Sequence, residues 1–176
     1  MIISVDEAKS LANVAGWTDS KIMMRLKAIE QTIRAYTNNN FQERRFRSAA
    51  SIKNGVICLS NPVTLHEGDT IQVSASAFND GLYTVLDARV GEITVAEDLN
   101  DEHDVLVTKI AYPADVVACA LNLLEWEVNN RAKVGIQSET LSRHSVTYFN
   151  MDGTNQVMGY PASLLGCLKA YRKARC

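Results

Sequence analysis

Cysteine, histidine and proline are scarce in this sequence of 176 residues, which contains four, three and three of them. The cysteines are widely separated, with no C-x-x-C pair and no histidine at metal-ligand spacing: Cys58, Cys119, Cys167 and Cys176. Neither a disulfide framework nor a zinc site is therefore indicated, and we expect reduced thiols.

Long apolar runs are also missing. No stretch approaches the roughly 20 apolar residues that a bilayer span requires, and the N-terminus lacks a basic region and reaches Asp6 and Glu7 at once. We therefore expect no signal peptide, no membrane association and a location in the cytoplasm where the chain is made.

Motifs of catalysis and of cofactor binding are lacking too. The sequence contains no Gly-rich phosphate loop, no G-x-S-x-G and no H-E-x-x-H. A Cys58–His66 nucleophile and base, or a calcium site in the acidic stretch 97–104, can be imagined, but neither spacing matches a working site. We therefore predict that the protein is not an enzyme and uses no cofactor or metal.

What the sequence does contain is an uneven charge distribution beneath a net charge of only −2. Residues 67–104 hold ten acids and a single base, Arg89, whereas the segments on either side carry a small excess of Lys and Arg. Such a contrast indicates modules with different surroundings. The run Arg44–Arg45–Phe46–Arg47 is a weak signal for nucleic acid.

The periodicity of apolar residues separates helical ends from a β-rich middle. A capping box at Ser4 and Glu7 precedes a short helix, and Thr18 or Asp19 begins a longer one that stops at the asparagines 38–40. Between about residues 52 and 110 the pattern alternates as in short strands joined by tight turns. Pro113 and Pro161 then open two further helices, the first apolar nearly all round.

From these patterns we predict an α+β fold, mainly a helical bundle of about four helices. Residues 1–49 and 111–176 would form the helical domain. Residues 50–110 would form an inserted small antiparallel sheet or partial barrel.

Several short motifs occur in an order that is typical of one family. Tyr112-Pro113 opens the apolar helix, residues 133–141 read KVGIQSETL, residues 145–148 read SVTY, and residues 159–161 read GYP. The N-terminal SVDEAK resembles the same family, as do GDTIQV and FNDGLY in the β-rich middle. The chain thereby resembles the head–tail connector, or adaptor, proteins of long-tailed bacteriophages.

The resemblance implies a structural virion protein that assembles in the host cytoplasm and ends in the virion neck. Its partners would be the portal protein, the stopper or tail-completion protein, and about twelve copies of itself in a ring. Double-stranded DNA would pass through this ring without specific binding, which suits a nearly neutral chain because each neutralised phosphate adds affinity.

Two segments are candidate contact sites. For the last helix we predict docking to the portal through four bases: Lys169, Arg172, Lys173 and Arg175. Leu164, Leu168 and Tyr171 would anchor that helix, and a solvated basic helix end is the competing interpretation. An inter-subunit arm would comprise Gly135, Ile136, Gln137, Ser138, Glu139, Thr140 and Tyr148, unless this stretch merely packs on the apolar helix. A nucleic-acid-binding module that uses Arg44–Arg47 and the C-terminal bases is the alternative function.

Overall fold

A computed structural model describes residues 1–61, 63–134, 138–141, 144–147 and 155–174. The chain divides into two compact units. One, the helical unit, comprises Ile2–Asn39 and Pro113–Cys176, and the other, the barrel unit, comprises Met1 and Asn40–Tyr112.

Three α-helices, two 3₁₀ helices and ten strands form the described elements. The helices are α1 (Val5–Leu11), α2 (Asp19–Thr37) and α3 (Ala114–Asn130), with 3₁₀ helices at Arg131–Lys133 and Ala162–Tyr171. The strands of the barrel unit are β1 (Gln42–Lys53), β2 (Val56–Leu59), β3 (Thr70–Ser74), β4 (Gly81–Arg89), β5 (Glu92–Val95) and β6 (Glu102–Ile110). The strands of the helical unit are β7 (Ser138–Leu141), β8 (His144–Thr147), β9 (Gln156–Val157) and β10 (Tyr160–Pro161).

The predicted start of α1 and the predicted start and stop of α2 are confirmed. Ser4 N donates to Glu7 Oε2 at 2.9 Å and Glu7 N donates to Ser4 Oγ at 3.2 Å, which completes the capping box of α1. Thr18 caps α2, which ends at Asn38 with a left-handed φ of 48°. Asn tolerates this conformation better than most residues, so the asparagine run stops the helix as its sequence indicates.

The core of the helical unit is built from apolar stripes on α2 and α3. The stripe of α2 is fully buried at Ile22, Leu26, Ile29 and Ile33. On α3 the buried residues include Val116, Cys119, Ala120, Leu123 and Leu124. The steps of three and four residues place each set on one face of its helix, which is why both helices form.

The final segment differs from the α-helix predicted after Pro161. Residues Ala162–Tyr171 form a 3₁₀ helix, with Leu165 and Leu168 fully buried. The apolar pattern allowed either helix type, because side chains at i and i+3 lie on one face in both. The helix that Pro113 opens, which the sequence predicts to stop at Gly135, also ends earlier, at Asn130.

The barrel unit shows that a mainly helical bundle with a partial sheet is the wrong fold class. Its six strands close in the order β1–β2–β5–β4–β3–β6, all antiparallel. The pairing of β1 with β6 closes the barrel, and closure leaves no exposed strand edge. Its interior is an apolar cluster of Ala50, Ile52, Ile57, Leu65, Ile71, Val73, Val85, Ile93, Val105 and Val107.

Strand β1 begins at Gln42, so residues 42–49, which were predicted to belong to the helical part, are the first eight residues of a twelve-residue barrel strand. The first two inward positions of β1 are small, Ser48 and Ala50, and this conceals the alternation that marks a strand. The ends of the barrel segment are adjacent: Ala111 N donates to Phe41 O at 3.0 Å.

Candidate functional site

The C-terminal bases belong to residues 160–174 of the helical unit, called here the C-terminal segment. The charged side chains of this segment are exposed. Lys169, Arg172 and Lys173 are all exposed. Arg175, the fourth predicted docking base, lies outside the described residues.

The backbone of this segment is tied to the end of α2. Lys173 N donates to Thr37 O at 2.8 Å, and Asn38 Nδ2 donates to Ala174 O at the same distance. Asn39 Nδ2 adds a 3.3 Å bond to Tyr171 O. The left-handed turn at Asn38 therefore does two things: it ends α2, and it presents the amides that hold the C-terminal segment.

Two side chains fasten the segment to α3. The Tyr171 hydroxyl lies 2.7 Å from both carboxylate oxygens of Asp115, and this hydrogen bond raises the pKa of Tyr171. Cys119 Sγ donates to Leu164 O at 3.3 Å. Burial of the thiol raises the pKa of Cys119 to about 12, so it stays protonated.

The segment begins at a buried ionic network. Glu127, 2% exposed on α3, accepts hydrogen bonds from Tyr160 Oη at 2.7 Å and from both Nε and Nη2 of Arg131. Nη1 of Arg25, on α2, lies 3.7 Å from Oε2 of Glu127. Burial opposes ionisation of Glu127, but the bonds from Arg131 and Tyr160 outweigh it, and its pKa is lowered. The pKa of Tyr160 is raised, chiefly by burial.

This network connects α2, α3 and the start of the C-terminal segment, and sequence reasoning missed it. Arg131 Nη1 also donates to Gly159 O, and its guanidinium lies over the rings of Trp126 and Tyr160. The only sequence signal was the i, i+4 spacing of Glu127 and Arg131, which occurs equally on solvent-exposed helix faces.

The predicted arm is only partly described. Gly135, Ile136, Gln137 and Tyr148 lie outside the described residues. Ser138, Glu139 and Thr140 fall in β7, which pairs antiparallel with β8 in a two-stranded sheet. In the described part of the chain this hairpin has no third strand.

The Arg44–Arg47 run lies at an irregular point of β1, where the register with β6 shifts between Glu43 and Arg47. Arg45 forms a 2.6 Å ion pair with Glu43. Arg47 Nε donates to Thr108 Oγ1 at 3.1 Å. Two of the three arginines are thus engaged with their own barrel.

Part of the acidic stretch anchors barrel loops. Asp101 Oδ1 accepts from Asn54 N at 2.7 Å, and Glu102 accepts from the 76–79 loop. Among the described residues, no three His, Cys, Asp or Glu side chains form a group that could hold a metal ion. Nor is any helix in the described ranges long and apolar enough to cross a bilayer.

Comparison with known proteins gives no family assignment, because neither a protein-family model nor a curated protein matches this chain.

Proposed function

We propose that this protein is a structural, non-enzymatic head–tail connector subunit. It forms a ring between the portal and the stopper or tail-completion protein, around the exiting double-stranded DNA. The observation that carries the proposal is the C-terminal segment, whose backbone is fixed to α2 while Lys169, Arg172 and Lys173 remain exposed.

A fixed segment with exposed charges is well suited to docking. Because residues 171–174 are already hydrogen-bonded to the end of α2, binding requires little further ordering of the backbone. The segment is thus a preformed surface. Exposed bases accelerate encounter with an acidic partner and make the association sensitive to salt.

The hairpin β7–β8 supports the same role. An isolated two-stranded hairpin is marginally stable in water, and its backbone edges can pair with a strand from another chain. In the proposed ring this hairpin is the inter-subunit arm.

Charge reversal at the C-terminal segment tests the proposal. The triple variant Lys169→Glu, Arg172→Glu and Lys173→Glu should still fold, because these side chains are exposed, although it loses the contact of the Arg172 guanidinium with the Tyr36 ring. Its co-purification with the portal should fall sharply, and the remaining binding should lose its dependence on salt. Portal binding equal to that of the wild type would show that this segment is only a solvated surface.

A matched control lies in the barrel unit. Arg44→Glu, Arg45→Glu and Arg47→Glu change the net charge by the same amount, and we expect portal binding to persist. The same control tests the nucleic-acid alternative. If the wild type binds duplex DNA at physiological salt and this control variant does not, the nucleic-acid-binding alternative is favoured over the connector.

A further inference from the structure

The helical unit contains two thiols that share one hydrogen-bond acceptor. Cys119 Sγ donates to Leu164 O at 3.3 Å, and Cys167 Sγ donates to the same oxygen at 3.6 Å. Burial raises the pKa of the Cys119 thiol, and a hydrogen bond with the Cys167 thiol adds to this rise. The two sulfur atoms therefore interact with each other as well as with a common oxygen, although they belong to different elements, α3 and the C-terminal segment.

Neighbouring contacts show that α3 and the C-terminal segment run antiparallel past each other at the thiols. The Tyr171 hydroxyl donates to Asp115 at 2.7 Å on one side, and the Glu127 network joins the same two elements on the other. Cys119 lies four residues after Asp115 on α3. Cys167 lies four residues before Tyr171 on the C-terminal segment. A step along α3 is thus matched by an equal step back along the segment, and the two cysteines fall at facing positions.

The two thiols differ in their access to solvent. Cys119 is 1% exposed, whereas Cys167 is exposed. A reagent in solution therefore reaches Cys167 first, and Cys119 only through it. Exposure also lets the Cys167 side chain rotate towards its neighbour, which is the adjustment that an S–S bond of about 2.05 Å requires. The third cysteine of the described residues, Cys58, lies in the barrel unit.

We propose that Cys119 and Cys167 form an intramolecular disulfide when the chain meets a low-molecular-weight disulfide as oxidant. The bond joins α3 covalently to the C-terminal segment. Its biological role rests on the proposed connector function, because a connector is made in the reducing cytoplasm, whereas the finished virion enters an oxidising medium in which disulfides persist. The disulfide then holds the docking surface in place after assembly.

The reaction consists of two successive thiol–disulfide exchanges. The Cys167 thiol loses its proton and attacks one sulfur of the oxidant, which forms a mixed disulfide and releases one thiolate. The Cys119 thiol then loses its proton and attacks Cys167 Sγ, which forms the protein disulfide and releases the second thiolate. The released thiolates take up the two protons, so one oxidant disulfide is reduced to two thiols for each protein disulfide formed.

The second exchange should be the slow one at neutral pH. Only a thiolate attacks a disulfide, and the Cys119 thiol is protonated there because burial raises its pKa to about 12. Cys167 and Asp115 are the ionisable groups that add to this rise, and Asp115 is itself hydrogen-bonded to Tyr171. The rate of closure should therefore increase by about tenfold for each unit of pH, as the thiolate fraction does.

Oxidised glutathione tests the proposal on the full-length chain. Incubation should remove two hydrogens from the intact mass, and peptide mapping without reductant should join the peptides that contain Cys119 and Cys167. The thermal midpoint should rise by roughly 5 °C or more, because the bond restricts the unfolded chain, and a thiol reductant should reverse the rise. A glutathione adduct at Cys167 that never closes, or a bond from Cys167 to Cys58 or Cys176, would overturn the inference.

Two variants serve as matched controls. Cys119→Ala should stop at the glutathione adduct of Cys167, with no gain in thermal midpoint on oxidation. Cys167→Ser replaces an exposed side chain and should still fold. In this variant Cys119 should stay reduced, because the buried thiol has lost the partner through which the oxidant reaches it. Oxidation of Cys119 at the wild-type rate in Cys167→Ser would contradict the two-step route.

The outcomes separate this inference from the connector function. A chain that binds the portal but does not form the Cys119–Cys167 bond contradicts only the disulfide. A chain that forms the bond but does not bind the portal contradicts only the connector role.

Discussion

The two units of this protein place their polar networks differently. In the barrel unit the core cluster is built from apolar side chains, with Ser48 and Thr108 also buried, and the network of Glu102 and Asn79 fixes a loop at one end. In the helical unit the Glu127 carboxylate is buried between helices and satisfied by Arg131 and Tyr160. Cross-strand pairing already specifies how the barrel closes, whereas three helical elements can slide and rotate. A buried ionic network restricts such movement, although at a cost in desolvation.

The largest effect is expected from removing one unit entirely. Residues 41–111 can be replaced by a short Gly/Ser link, because Phe41 O and Ala111 N already lie 3.0 Å apart. We expect the strand signal in circular dichroism to fall and the helical unit to retain a cooperative thermal transition. A non-cooperative melt would mean that the barrel is needed to complete the helical core.

A matched pair of core substitutions tests whether the units unfold separately. Ile71 in the barrel unit and Ile29 in the helical unit are both completely buried. Ile71→Ala and Ile29→Ala should each lower the free energy of unfolding by about 2–5 kcal/mol. Amide protection against hydrogen exchange should fall only in the unit that carries the substitution. Equal loss of protection in both units would show that they unfold together.

The next largest effect on stability is expected from removing the buried carboxylate of Glu127. Glu127→Ala leaves Arg131 and Arg25 without their anion and should cost about 3 kcal/mol, the lower end of the range, because these arginines are about one-third exposed. Denaturant titration measures this cost. Glu102→Ala is the matching substitution in the barrel unit. We expect it to lower the free energy of unfolding by less and to affect only the loop that Glu102 holds.

The pH dependence of stability sharpens the same comparison. The pKa of Glu127 is lowered in the folded state, so its contribution is present above the pKa of the unfolded chain and is lost as the pH falls. Glu127→Gln should therefore reduce the loss of stability on acidification. An unchanged acid profile in the variant would show that Glu127 contributes no net charge stabilisation.

The smallest effects concern two asparagines with left-handed backbones. Asn38 ends α2 with φ 48°, and Asn54 begins the β1–β2 turn with φ 50°, followed by Gly55 at 76°. Asn38→Ala and Asn54→Ala should each cost about 1 kcal/mol, because alanine enters this region less readily. Loss of the Asn38 amide also frees Ala174 O, so Asn38→Ala should additionally increase proteolysis of the C-terminal segment.

Sequence patterns correctly predicted the elements that depend only on residues close together in the chain. The capping box at Ser4 and Glu7, the start of α2 after Thr18 and its stop at the asparagines 38–40 all follow from neighbouring residues. Strand β1 was partly missed, although Asn54-Gly55 before Val56 is a hairpin signal. Its small inward residues, Ser48 and Ala50, gave too little hydrophobic contrast.

The bases of the candidate docking segment could be identified from the sequence. The attachment of this segment to the end of α2 could not. Lys169, Arg172 and Lys173 are visible as a cluster in the sequence. The hydrogen bonds from Asn38 and Asn39 to residues 171–174 join positions more than 130 residues apart. No local pattern reports such a pairing.

By itself the sequence determined where helices begin, which faces are apolar and where charge accumulates, because these depend on residues within a few positions of each other. Only the tertiary structure decided that the sheet closes through β1 and β6, and that Glu127 is buried among arginines. Each of these depends on contacts between distant segments, whose free energy is gained only once the chain has folded.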